Sequence, residues 1–198
     1  MPDQAEVRGA LWRQLRAGRA AHSERVAATA AALAGRHGLP AAAAELAGLL
    51  HDWYKEVPPA EILDLARGCG AFPAGLAPAQ VVAEALHGPV AARLLPRRWP
   101  DLPPEVLTAV DRHTTGDPEM TAFDALLYVA DLVEPAHAYP GVDALRAMAG
   151  SDLWGAVLAG MDQTLVHVLR RGRRIDARTV AARNALLYRR AGADAPAG

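Results

Sequence analysis

The chain has 198 residues, 52% hydrophobic and 22% charged, which excludes intrinsic disorder and supplies apolar surface for a packed core. Its 21 Lys plus Arg nearly balance 22 Asp plus Glu, a formal net charge of −1, which argues against a broad DNA-coating surface. One cysteine, Cys69, excludes a disulfide framework and any Cys-based zinc or iron–sulfur site.

In chain order, helical patterning separated by Pro and Gly punctuation dominates, and β-branched runs are few. Residues 3–17 predict a helix stopped at Gly18, and 20–37 a second one with Gly38 just past its end. Pro40 opens a helix over 41–52 whose Leu46, Leu49 and Leu50 share a face. Pro58 and Pro59 restart the chain in a short helix reaching Ala66, before a break at Gly68-Cys69-Gly70 and a loop over 71–78. Helices are expected over 79–86, 89–95 and 104–113, then a turn over 114–118. Thr121 with Asp124 resembles a capping box for a helix through Val133. Helices over 152–171 and 177–190 complete a single all-α domain spanning 1–190, and 191–198 reads as a disordered tail.

Residues 1–15 carry Asp3, Glu6, Arg8 and Arg13 in place of the basic head and apolar run of a signal peptide. Uncharged stretches such as 26–35 fall far short of the roughly 20 residues that span a bilayer. A cytoplasmic protein without membrane or nucleic-acid partners is the expectation. The Ala-rich last helix pair offers a face for a homodimer. Lys55 is the only lysine in a chain whose basic charge is otherwise arginine, and chance survival balances a special role.

The histidines that matter fall at predicted helix ends beside carboxylates: His22, then His51-Asp52, then His87, His113 and Asp131. Imidazole nitrogens with carboxylate oxygens suit first-row divalent metals. His51 and Asp52 are adjacent, so on a regular helix they point about 100° apart. Both reach one ion only where the helix is ending, a circumstance that residues 53–58 supply.

The ordered set of His, His-Asp, His, His and Asp is the pattern of HD-domain metal-dependent phosphohydrolases. Its surroundings are Arg19-x-x-His22, Leu50-His51-Asp52-Trp53-Tyr54-Lys55-Glu56, Leu86-His87-Gly88-Pro89-Val90, Arg112-His113-Thr114-Thr115-Gly116 and Tyr128-Val129-Ala130-Asp131-Leu132-Val133-Glu134-Pro135. These five motifs resemble the YqeK-like family, whose members are symmetrical bis(5'-nucleosyl)-tetraphosphatases, over nearly the whole chain. The resemblance implies an all-α HD-domain helical bundle with the metal site between helices. It implies iron, as one or two ions, held by His22, His51, Asp52 and Asp131, with manganese, magnesium or zinc as alternatives. His87 and His113 match positions that face the nucleotide phosphates and could hold the second metal; with Asp52 and Lys55 they form the expected catalytic group. Arg19 and Lys55 match phosphate contacts, and Trp53 and Tyr54 stand beside the His-Asp pair as candidate pocket wall. The stretch bearing Arg174, Arg178 and Thr179 aligns with one bordering bound nucleotide. His137, a candidate substrate contact, stands where relatives often place an arginine, which weakens a cationic contact there.

The activity so implied is hydrolysis of a dinucleoside polyphosphate, diadenosine tetraphosphate, to two ADP. A dication would act as a Lewis acid and lower the pKa of water from about 15.7 toward 7. Arg19 offers a planar fork to phosphate, Lys55 a compact charge. The competing readings are an HD phosphohydrolase of another nucleotide or phosphate ester, and a non-catalytic nucleotide-sensing module. His37, before Gly38, and His167 read as structural, and Trp12, Trp99 and Trp154 as packing residues.

Overall fold

Alanine-rich and glycine-interrupted helix faces let this chain bring backbones close together. The computed structural model describes residues 1–74, 77 and 81–193, and every regular element among them is helical. Ten α-helices run in order: α1 (Gln4–Gln14), α2 (Ala17–His37), α3 (Ala41–Leu50), α4 (Pro59–Cys69), α5 (His87–Leu94), α6 (Pro104–Arg112), α7 (Ala122–Val133), α8 (Val142–Ala149), α9 (Leu153–Arg170) and α10 (Ala177–Ala193). No helix among the described residues is long and apolar enough to cross a membrane.

α7 is the centre. Phe123 through Ala130 are buried without interruption, so this helix is covered all round, by α2, α6, α8 and α9 among others. Its start is a true capping box: Thr121 Oγ1 accepts from the Asp124 amide at 3.2 Å, and Asp124 Oδ2 from the Thr121 amide at 2.9 Å. α2 and α3 form the most extensive helix pair, through Ala20, Ala27, Ala30 and Ala34 on one side and Ala43, Ala44 and Ala47 on the other. Gly48 sets the spacing, because a Cβ there would lie 2.5 Å from Ala27 Cα. A smaller cluster of Ile62, Ala66, Val81, Leu86 and Val90 seats α4 on α5.

The boundaries differ from the sequence pattern in instructive places. The first break falls at Leu15 and Arg16 rather than at Gly18, because Leu15 turns into the core and the Arg16 amide donates to Glu56 Oε2 at 2.8 Å. Gly18 then lies inside the first turn of α2, in open space. α4 runs past Ala66 and Gly68 to Cys69, and Gly70 caps it at φ +74°. The helix expected over 79–86 is, among its described residues, a single 3-10 turn at Ala83–Ala85; residues 79 and 80 lie outside the described set. α5 begins at His87 instead of Pro89, and α10 extends through Ala193, while the expected tail residues 194–198 lie outside the described set. α8 was not expected; Val142, Leu145 and Ala149 bury one face of it behind the turn at Gly141. Trp99 packs in the core as anticipated, but Trp12 is 49% exposed, its Nε1–H donating to Glu24.

Gly48→Ala should destabilise the fold by about 1–3 kcal/mol, since the α2 backbone cannot give way as a side chain would. A lower urea midpoint at unchanged m-value is the expected signature, and an unmoved midpoint would show the helix spacing to be adjustable.

Candidate metal centre

Five elements each deliver donors to one place. His22 lies inside α2, His51 and Asp52 follow the last turn of α3, His87 opens α5, His113 follows α6, and Asp131 sits in the last turn of α7. The early end of α3 lets the adjacent His51 and Asp52 both face inward. At Gly88 a Cβ would lie 2.4 Å from the Val110 carbonyl oxygen, so the bare backbone allows the start of α5 to abut the end of α6 and sets His87 against His113.

Each imidazole is oriented from behind. The Nδ1 of His51, His87 and His113 meets a backbone carbonyl, of Gly48, Glu84 and Val110, at 2.7, 2.8 and 2.7 Å. The Nδ1 of His22 meets Glu134 Oε1 at 3.1 Å. With Nδ1 carrying the proton in each, all four Nε2 lone pairs turn toward the cluster, the orientation that metal-ligating histidines adopt. Glu134 is itself held by Arg25 Nε at 2.7 Å and the Ala136 amide at 2.7 Å.

The Nε2 atoms surround two carboxylates. His22 Nε2 stands 3.1 Å from Asp131 Oδ1 and 3.7 Å from Asp52 Oδ2; His51 Nε2 stands 3.7 and 3.5 Å from the same atoms. His87 and His113 approach the other Asp52 oxygen, Oδ1, at 3.0 and 3.7 Å. The Nε2 atoms of His22 and His51 are buried and complete no hydrogen bond. Two buried lone pairs left unmatched among carboxylate oxygens are the condition a cation would satisfy. His87 Nε2 and His113 Nε2 also face each other at 3.0 Å, with the Thr114 hydroxyl 3.2 and 3.0 Å away. One hydroxyl proton cannot serve both nitrogens, which leaves a lone pair there for a cation. The donor set fits a divalent ion at His22, His51, Asp52 and Asp131, and a second at His87, His113 and Asp52.

Electrostatics lead the same way. Burial pushes the Asp52 carboxyl up, but His51, His113 and His87 outweigh it and hold the group well below the usual carboxylate range. Asp131 behaves alike: burial opposes its charge, and contact with His22 and the field of His51 overcome that. Burial depresses His51, yet Asp52 and Asp131 raise it net, so the cluster draws positive charge. Burial pushes His87 down to about 4, helped by Lys55 and His113 against the Asp52 hydrogen bond, which leaves a neutral imidazole at pH 7.

The remaining sequence candidates take varied places. Arg19, one turn before His22, donates from Nη1 to Asp52 Oδ2 at 2.8 Å. Lys55 is exposed and has no hydrogen-bond or ion-pair partner among the described residues. A cavity of about 550 Å³ opens over His22, lined by Arg16, Arg19, Arg25, Glu134 and His137. His137 lies with its ring centroid 5.6 Å from that of His22, its Nδ1 on the Leu132 carbonyl at 3.0 Å. A second cavity, of about 140 Å³, lies at His87, Lys55 and Tyr54. Trp53 is buried, edge-on to Trp99 at 5.2 Å, and borders a different cavity with Tyr54 and Arg97. Arg174, Arg178 and Thr179 lie at the α9–α10 junction, where Arg178 is engaged by Asp176 at 2.7 Å. His37 serves structure, meeting the Ala149 carbonyl at 2.7 Å, and His167 is exposed on α9.

Sequence reasoning passed over Glu134, Arg25, Thr114 and Arg112 as site components. Arg112 binds Asp124 Oδ2 at 2.9 Å and the Glu119 carbonyl at 3.0 Å, which ties the end of α6 to the start of α7. The available signal was spacing: Arg19, His22 and Arg25 recur every third residue on one face of α2, and Glu134 follows Asp131 by three.

Comparison with known proteins places the fold in a family. Residues 19–154 match the HD domain family model. The chain is 35% identical to the symmetrical bis(5'-nucleosyl)-tetraphosphatase of Bacillus subtilis, over 84% of this chain and 88% of that one. It is 34% identical to the enzyme of the same name from Staphylococcus aureus, over 76% and 73%. A Clostridium acetobutylicum crystal structure, described as a predicted HD superfamily hydrolase involved in NAD metabolism, superposes with a TM-score of 0.89 at 32% identity, covering 96% of this chain and 99% of that one.

Glu134→Gln should weaken divalent-metal affinity about 10- to 100-fold by loosening His22, read by competition against a chelator; unchanged affinity would remove Glu134 from the site. In metal-free protein, His87 holds its proton less tightly than its ordinary 6.5, at about 4, so the unfolded chain takes up protons first as pH drops. Its contribution to stability is therefore complete above 6.5 and lost on acidifying toward 4. His87→Gln should flatten the stability profile in that window, as followed by urea midpoints at stepped pH.

Proposed function

This chain belongs to the HD domain family, in the branch of symmetrical bis(5'-nucleosyl)-tetraphosphatases, and we propose from that footing how its residues hydrolyse diadenosine tetraphosphate to two ADP. The observation that carries the proposal is the convergence of orphaned buried imidazole nitrogens and ionised carboxylates beneath an arginine-lined cavity.

His22, His51, Asp52 and Asp131 would hold one divalent ion, and His87 and His113, with Asp52 standing between the two groups, a second. Imidazole-rich donors favour a first-row transition metal over magnesium, and we assign iron, with manganese or zinc as substitutes. Such an ion, when bound, supplies Lewis acidity toward a phosphoryl oxygen and lowers the pKa of water toward about 7.

The chain itself positions and neutralises. Arg19 would exchange its contact with Asp52 for a forked contact to a substrate phosphate. Lys55, without a partner among the described residues, meets phosphate from the His87 side. His87 and His113 keep their Nδ1 protons on backbone carbonyls, so both present lone pairs to the centre, and neutral His87 suits holding a ligand better than giving up a proton. Thr114 can donate its hydroxyl proton where the leaving phosphate gathers charge. Arg16 and Arg25 raise the local concentration of a polyanion at the cavity mouth. Preorganised charge of this kind provides most of the rate in phosphoryl transfer.

A second reading, hydrolysis of another nucleotide, has one specific support: the Clostridium neighbour is described in terms of NAD metabolism. A panel holding diadenosine tetraphosphate, NAD and nucleoside monophosphates separates the two. Metal-loaded protein should turn over diadenosine tetraphosphate fastest and release ADP alone, by chromatography; AMP plus ATP would reject the symmetrical cut. Asp52→Ala should lower kcat by about a hundredfold or more with the helical spectrum retained. Lys55→Ala should raise KM roughly ten- to hundredfold, the worth of a hydrogen bond to a charged group, at unchanged metal content by elemental analysis.

A further inference from the structure

We propose that the cavity of about 140 Å³ beside His87 is a subsite for one nucleobase of a dinucleoside substrate, so that the substrate straddles the cation cluster. This rests on the function proposed above and deepens it. Sites that enclose a whole drug-sized ligand usually measure about 300–1,000 Å³, and a water occupies about 30 Å³ of liquid, so this space suits a single ring system. Its walls are the apolar surfaces of Val57, Pro59, Ile62 and Ala83 and the aromatic ring of Tyr54. Aromatic and aliphatic walls grip a base without reading its identity.

The polar groups give the subsite direction. His87 and Lys55 also line it; His87 Nε2 is 3.0 Å from Asp52 Oδ1, which places that wall against the cation cluster. Glu84, exposed, contributes a negative charge to the lining that repels phosphate yet accepts from a base amine or a ribose hydroxyl. The other Asp52 oxygen, Oδ2, faces His22 and Arg19, which border the larger arginine-lined cavity. The carboxylate at the middle of the cluster thus has a polyanion-attracting space on one flank and a base-sized apolar space on the other. A nucleoside joined to a phosphate chain matches that sequence of environments. A nucleotide with one base would place it in the same smaller space, so the fit comparison is a substrate with no base at all.

The test compares metal-loaded wild type, Ala83→Phe and Val57→Phe on two substrates, diadenosine tetraphosphate and inorganic tetraphosphate, which keeps the phosphate chain but lacks any nucleoside. Wild type should prefer the dinucleoside in kcat/KM by about tenfold or more, and filling the cavity should erase that preference. Inorganic tetraphosphate hydrolysis, metal content and helical spectrum should stay constant in both variants. Equal kcat/KM for the two substrates in wild type, or a parallel loss of both in the variants, would overturn the subsite while leaving the hydrolase intact. No cleavage of the dinucleoside by wild type would overturn the functional reading itself.

Discussion

Asp52 is 2% exposed and ionised, and its two oxygens face different histidine pairs. Taking a carboxylate out of water costs several kcal/mol unless positive charge and hydrogen bonds offset it. Arg19 supplies part of the offset and His51, His87 and His113 more, while Asp131 brings a second ionised carboxylate into the same space. The site is therefore a cage whose own groups leave negative potential at its centre. Much of the surrounding fold is explained by the need to hold that arrangement open.

The cage is built from helix ends. Apart from His22, the donors sit in a first or last turn or just beyond one. There the backbone changes direction and carbonyls are free to accept from imidazole Nδ1. The Gly48 carbonyl, at the end of α3, orients His51, and the Val110 carbonyl, at the end of α6, orients His113. The same unpaired carbonyls that a helix end must satisfy are spent on fixing tautomers. His22 is the exception, in the middle of a long helix, and needs a side chain, Glu134, for that task.

How much of this could be read from the sequence depended on whether the cause was local. Helices α2, α3, α7 and α9 were legible, as was the Thr121–Asp124 capping box, because periodicity and capping act within a few residues. The break at Leu15 was misplaced at Gly18, since Glu56, forty residues away, decides it. The donors were found because their residue types are rare and ordered along the chain. Glu134, Arg25 and Thr114 were not, because an acid, an arginine and a threonine are common residue types and only the three-residue spacing of Arg25 from His22 and of Glu134 from Asp131 marked the first two. Trp12 reads as a packing residue by type, but it lies on the exposed side of α1, whose buried side is Val7, Ala10 and Leu11.

The donors stretch from His22 to Asp131, two thirds of the way along the polypeptide. Closing such distant contacts demands that the intervening segments already be in place, which makes ion capture a late event in folding. A ribosome-bound fragment that has emerged only as far as His113 lacks Asp131 and Glu134, and with them both the last ligand and the brace for the first. Full-strength retention of an ion there would consequently report that α7 has been made and docked.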